Sequence, residues 1–185
     1  LEFPNLVELV RICQRRRVLT ALDNTWGAGL AFAPFDLVPG ASPAVGVDIA
    51  AHALTKYPSG GGDVLMGSVT TRDAGLHLKL KLTHMRFGLG VGMNDVELVL
   101  RSLPSMALRY RAHDVATRAL AAWAQSQSAF VQVLHPALQE SPGHAHWKAL
   151  CGGGEGAAAG LFSVILDKRF SQPQVDAFCD ALKLF

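Results

Sequence analysis

Charge is scarce in this chain. Only 17% of its 185 residues are Asp, Glu, Lys or Arg, and they leave a net charge of +2. So even a balance advertises neither nucleic acid nor an acidic membrane as a partner. The one basic run, Arg15-Arg16-Arg17, reads as a solvated helix end. Cysteine is scarcer still: Cys13, Cys151 and Cys179 are widely spaced and form no Cys-x-x-Cys pair. That is the usage of reduced, structural thiols, and with no visible secretory leader it sets the expectation of a cytoplasmic protein. No apolar stretch reaches membrane-spanning length. There is no Gly-x-Ser-x-Gly to mark a hydrolase elbow, and no Gly-Lys-Ser/Thr to make a phosphate loop of Gly152-Gly153-Gly154-Glu155-Gly156, which is expected to be a flexible turn. His135, His144 and His146 near Cys151 lack the paired spacing of a structural zinc site, so no metal is expected. Internal repeats are absent.

What the chain does have is apolar residues, which make up half of it. That is a globular composition, with length for one good-sized core or one core and part of another. Asn5 is placed to cap an amphipathic helix over residues 5–15, ahead of an apolar, partly β-branched run at 18–22 that reads as a buried strand. A helix followed by a strand implies a parallel sheet. Residues 33–44, with three prolines and a glycine, form a surface loop. Residues 63–70 read as another buried strand. Leu76-His77-Leu78-Lys79-Leu80-Lys81-Leu82 alternates as a half-exposed strand does. Helices are expected from about 95 to 103 and, with Pro104 in the first turn, on to about 126. Strands at 129–134 and 161–166 and helices at 143–150 and 172–184 complete a small α/β tail.

The chemistry concentrates between Asp23 and Asp63. Asp23 leaves the first strand at its C-terminal end, where open α/β sheets place their ligand sites. A second apolar run from Val47 to Ala53 leads into Thr55-Lys56-Tyr57. A carboxylate can keep a pyridine nitrogen protonated, and a lysine in an apolar setting loses its charge more readily and can condense with an aldehyde. The plain alternative is that Asp23 caps a helix and Lys56 is a solvated loop residue.

The wording of the sequence goes further. Asp23-Asn24-Thr25-Trp26, Gly46-Val47-Asp48-Ile49, Ala53-Leu54-Thr55-Lys56-Tyr57, Gly60-Gly61-Gly62-Asp63 and Met66-Gly67 resemble the Cys/Met-metabolism family of pyridoxal-phosphate enzymes, above all its bacterial cystathionine β-lyases. The resemblance continues, in family order, through Leu100-Arg101-Ser102-Leu103-Pro104-Ser105-Met106, Val133-Leu134-His135-Pro136-Ala137-Leu138, Pro142-Gly143-His144, Trp147-Lys148 and Gly160-Leu161-Phe162-Ser163. It implies an α/β fold of type I: residues 1–103 as part of the large parallel or mixed-sheet domain, 104–127 as a connecting helix, and 128–185 as the start of a small C-terminal α/β domain. It also implies a helix at 76–82, against the local alternation.

The resemblance further implies pyridoxal 5'-phosphate as cofactor. Lys56 would hold its aldehyde and act as the catalytic base. Asp23 would pair with the ring nitrogen, Thr25 would pack behind the ring, and Thr55 would donate to the phosphate. The implied reaction is β-elimination from a thioether amino acid, with cystathionine giving homocysteine, pyruvate and ammonia, in a homo-oligomeric dimer of dimers. The γ-acting relatives (cystathionine γ-synthase, cystathionine γ-lyase and methionine γ-lyase) share Asp23 and Lys56, so these residues leave the scissile bond open. Ala53 stands where many members have a phosphate-binding serine, Gly61 and Gly62 replace the usual residues of Gly-x-x-Asp, and the loop around 38–45 is longer than usual. These departures leave an inactive scaffold of the same fold as a further alternative. Since the family's phosphate loop, substrate arginine and partner-lent residues have no counterpart here, the chain is expected to be the middle of a longer enzyme.

Overall fold

A computed structural model describes residues 2–152 and 157–182. Helix α1 spans Leu6–Arg16. Its first turn is closed by the Asn5 side chain, which accepts from the Glu8 N–H at 3.2 Å, and its end by Arg17 in the left-handed region, φ 56°. The helix buries Val10, 2% exposed, against Leu37, Val45 and Val47. The long loop is thus a surface feature only at its tip. Leu37 donates to the Val45 carbonyl at 2.7 Å, and this clip seats both ends of the extra residues on α1.

Three strands form the first sheet in the order β1-β2-β3: β1 Ala21–Asp23, β2 Ile49–Ala53 and β3 Gly67–Thr71. β1 and β2 are parallel, with Asp23 beside Ala51. β2 and β3 are antiparallel, with Ala53 opposite Gly67. The expected buried strand at 18–22 is corrected here. Val18 and Leu19 are 56% and 62% exposed, because Val18 still donates to the Cys13 carbonyl in the exit turn of α1. Thr20 is then engaged by Asp48, its N–H and hydroxyl donating to Oδ2 at 2.7 and 2.8 Å, so pairing starts only at Ala21. The expected strand at 63–70 also shifts, to Gly67–Thr71, and is not buried: Val69 is 55% exposed.

The alternating leucines lie in helix α2, Ala74–Arg86, as the resemblance implied and periodicity did not. Asp73 caps it, accepting from the Leu76 N–H at 2.7 Å. Leu76, Leu80 and Leu82 are half-buried while Leu78 is exposed, a break in the alternation that a half-exposed strand would have kept. Helix α3 (Met93–Ser102) passes through one 3-10 turn at Leu103–Ser105, which holds Pro104, into the long α4 (Met106–Gln125). A second sheet pairs β4 (Phe130–Leu134) antiparallel with β5 (Ser163–Leu166), and packs Val133 on Ala121 and Ala124 of α4. Helix α5 covers His144–Cys151, and α6 covers Gln172–Ala181 with a Ser171–Gln174 capping box. The expected ends of the last helix at 183–184, and the turn at 153–156, lie outside the described residues. Among the described residues, no helix is long and apolar enough to cross a membrane.

Because the clipped loop and α1 share one small core, Val10→Ala removes two methyl groups from its centre. We expect a loss of about 1–3 kcal/mol in urea unfolding, against no measurable change for truncating the exposed Val18.

Candidate active site

Parallel pairing brings the ends of β1 and β2 side by side, and the residues just beyond them lock together. The Thr25 N–H and hydroxyl both donate to Asp23 Oδ1, at 3.0 and 2.5 Å. The same hydroxyl oxygen accepts from the Ala53 N–H at 2.9 Å, and the Asn24 N–H donates to the Ala51 carbonyl at 2.9 Å. One threonine therefore fixes both the carboxylate at the end of β1 and the backbone from which the lysine turn departs. The Thr25 hydroxyl bond, then the Thr25 N–H, hold the Asp23 carboxyl below its ordinary value; slight burial opposes them and the nearby His52 assists. His52 is itself pushed down by burial, against the pull of Asp23. Its Nε2 is buried without a hydrogen-bond partner.

Asp23, His52, Ala53 and Thr55 share an open cleft of about 450 Å³ with residues 65–69. The Thr55 hydroxyl makes only long contacts there, 3.5 Å to the Met66 carbonyl and 3.4 Å from its N–H, so it remains available to an incoming acceptor. An ionised carboxylate and an available hydroxyl facing one cleft are an acceptor and donor pair that fits a phosphorylated, basic heterocycle. The structure thus brings Asp23, Thr25 and Thr55 together. Lys56 is exposed on the adjoining turn and does not line this cleft; its Nζ lies 5.8 Å from the centroid of the Trp26 ring.

A family model for Cys/Met metabolism PLP-dependent enzymes matches residues 1–185. The chain belongs to this family. It is 33% identical over its whole length to a putative cystathionine β-lyase of Rhizobium johnstonii, of which it covers 44%. It is 30% identical to an L-alanine/L-glutamate racemase of Wolbachia pipientis, of which it covers 42%. It superimposes over its whole length on cystathionine γ-synthase from Xanthomonas oryzae, with a TM-score of 0.80, 30% identity and 44% of that chain covered. The fold is therefore that of the pyridoxal-phosphate-dependent lyases and synthases. The chain spans less than half the length of these relatives.

Family membership puts the departures in context. Ala53 offers no side-chain donor, but its N–H is committed to Thr25. Gly60 and Gly62 adopt φ of +74° and +69°, so the glycine-rich turn has a backbone that favours glycine at both positions. The long loop contributes no residue at 38–45 to the cleft. Two of the histidines considered for zinc have one ring nitrogen engaged elsewhere. His135 is 1% exposed and accepts the Ala137 N–H on Nδ1, and His144 bonds the Pro136 carbonyl through Nδ1 at 2.9 Å. Among the described residues, no three His, Cys, Asp or Glu side chains group as a metal site. Burial pushes the Cys151 thiol up to about 12, which leaves it unreactive.

Sequence reasoning missed His52 and the residues that hold the lysine turn. Tyr57 and Ser59 are both 5% exposed, and the Tyr57 hydroxyl oxygen accepts from the Gly160 N–H at 2.6 Å. Trp26, Tyr110 and His113 surround the Tyr57 ring. Tyr57 is next to Lys56 in the chain, which was a signal; its partners are distant in sequence and gave none.

Replacing Thr25 separates its two tasks. Thr25→Val strands the Ala53 N–H, a pH-independent cost of about 1–2 kcal/mol, and also removes the bond that most lowers Asp23. A lowered carboxyl stabilises the fold above the ordinary aspartate value of 3.8, and that stability disappears as pH falls through the folded-state value. In urea melts across pH, the gap between wild type and Thr25→Val should therefore be widest at neutral pH and narrow below about pH 4. Thr25→Ser should behave as wild type at every pH.

Proposed function

We propose that this protein is a carbon–sulfur lyase that carries out β-elimination of cystathionine: cystathionine and water give homocysteine, pyruvate and ammonia. The observation that carries the proposal is the Thr25 bridge, which holds an ionised carboxylate at the end of β1 and fixes the start of the Lys56 turn. The family supplies the cofactor, pyridoxal 5'-phosphate. Asp23 would face its ring nitrogen, Thr25 would back the ring, Thr55 would donate to its phosphate, and Lys56 would hold its aldehyde. When bound, the cofactor supplies an electron sink for the charge left at Cα.

The chain's own residues do the rest. Asp23 stays negative and so keeps a proton on the facing nitrogen. Lys56, freed when substrate takes its place, accepts the Cα proton on Nζ. The Cβ–S bond then breaks and the sulfur leaves as a thiol, with Lys56 placed to return a proton. The cystathionine β-lyase of Bordetella avium, at 30% identity, and the putative one of Rhizobium johnstonii, at 33%, support this choice of substrate. Such a reaction belongs to trans-sulfuration and methionine biosynthesis in the cytoplasm. We further read residues 1–103, 104–127 and 128–185 as a large-domain part, a connecting helix and a small-domain start, a division supported by the two separate sheets on either side of α4. We also read the protein as a homo-oligomer, a dimer of dimers, as the resemblance to the family implies.

The γ-acting relatives and the racemase give the competing outcomes. Borohydride reduction of the loaded protein, followed by peptide mapping, should place a pyridoxyl-phosphate adduct on Lys56, and Lys56→Ala should lack it. Supplied with cystathionine, the protein should release homocysteine and pyruvate in equal amounts. Cysteine with 2-oxobutyrate would assign γ-elimination instead, and a racemised amino acid with no thiol would assign racemisation. An unlabelled Lys56 would leave a fold without its chemistry.

A further inference from the structure

The turn carrying Lys56 is short and built on itself. Lys56 donates to Ala53 at 3.2 Å, Ser59 to Leu54 and Gly60 to Lys56 at 2.9 Å, and the Ser59 hydroxyl to the Thr55 carbonyl at 2.9 Å. Such a turn fixes its own curvature. It does not fix how that curve sits on the rest of the protein, and an amine on a four-carbon stem is aimed by its backbone.

One side chain from outside reaches into the turn. Arg109, in the first turn of α4, donates from Nη1 to the Tyr57 carbonyl at 2.7 Å, the shortest of its bonds. Its Nε donates to the Ser105 hydroxyl at 3.1 Å and its Nη2 to the Ser102 carbonyl at 3.1 Å. The Ser105 hydroxyl in turn donates to the Ser102 carbonyl at 3.0 Å. The guanidinium is therefore gripped on two edges by the junction between α3 and α4, and its remaining edge is offered to the residue after Lys56. The fit is close. A Cβ at Gly60 would come within 2.3 Å of Arg109 Nη1, and Gly60 itself sits at φ +74°. Since the guanidinium is planar and presents its donors in a rigid fork, the three bonds define an orientation and not merely a tether.

We propose that Arg109 is a positioning residue for Lys56: by holding the Tyr57 carbonyl against the α3–α4 junction, it fixes the direction in which the lysine amine is presented. This rests on the reading of Lys56 as the cofactor lysine. A planar three-point clamp is needed because the opposite end of the turn is already fixed through Ala53 and Thr25. With both ends held, the stem of Lys56 starts from one defined point. With Arg109 gone, the Tyr57 carbonyl loses its only side-chain donor among the described hydrogen bonds, and the peptide that follows Lys56 is held only through the Tyr57 ring and hydroxyl, which lie beyond it.

The test uses the natural protein stripped of cofactor and then given pyridoxal 5'-phosphate. The rate at which Lys56 becomes reducible by borohydride is followed by peptide mapping. Amide exchange at Gly60 is measured in the cofactor-free state. Arg109→Ala should slow Lys56 labelling by about 10- to 100-fold, the scale expected for a small misplacement of a reacting group, and should speed Gly60 exchange. Ethylguanidinium in the buffer should restore much of both. Arg109→Lys, which can reach one acceptor but not span three, should fall between. Arg111→Met, which removes an exposed charge two residues away, should match wild type. If Arg109→Ala labels Lys56 at the wild-type rate, the proposal is overturned. It is equally overturned if the defect tracks a general loss of thermal stability and ethylguanidinium restores neither readout. An unlabelled Lys56 in the wild-type protein would instead refute the functional reading on which the proposal stands.

Discussion

A single hydroxyl joins the two strand ends on which the candidate site is built. Thr25 Oγ1 donates to Asp23 and accepts from Ala53, so it spans the last residues of two parallel strands that separate immediately afterwards. Parallel strands diverge at their C-terminal ends because each feeds a different connection, and a crevice opens between them. Here the crevice is stitched at its base and left open above. The stitch keeps a negative charge at the mouth of the cleft, and among the described residues no arginine or lysine lines that cleft. That is the electrostatic condition a protonated ring nitrogen requires.

The lysine turn is a second problem with a different answer. If Lys56 is the cofactor lysine we propose, it must be mobile enough to exchange partners and yet start from a fixed backbone. The chain meets both needs by burying the neighbours and exposing the lysine: Tyr57 and Ser59 are 5% exposed while Lys56 is open to solvent. The Tyr57 ring packs on Tyr110 with centroids 4.7 Å apart, and its hydroxyl oxygen takes the Gly160 N–H. Burial pushes the pKa of this phenol above its ordinary value, so it stays neutral at working pH. The turn is thereby joined both to α4 and to the segment leading into β5, regions far from it in sequence.

Much of this was legible in the sequence where the signal is local. Asn5 predicted a cap and the structure shows it capping; Pro104 predicted the start of a new helix and lies in the 3-10 turn before it. Composition failed where backbone geometry intervened. The apolar 18–22 run is largely the exit from α1, because a left-handed Arg17 and the Thr20–Asp48 bonds delay pairing to Ala21. Alternation failed in α2, because it predicts every second residue on one face, whereas Leu78 is exposed between half-buried Leu76 and Leu80. Asp23, Thr25, Thr55 and Lys56 were singled out by motif, and the structure brings the first three together. Arg109 was not, since its meaning comes from a contact spanning 52 residues.

The central claim is that Thr25 keeps Asp23 charged so that it can hold a proton on the cofactor ring. The 15N chemical shift of pyridoxal 5'-phosphate labelled at its ring nitrogen reads that proton directly in the loaded protein. The account predicts a protonated nitrogen at neutral pH in wild type and in Thr25→Ser, and a nitrogen that loses its proton more readily in Thr25→Val. An unprotonated nitrogen in the wild-type protein at neutral pH would contradict it.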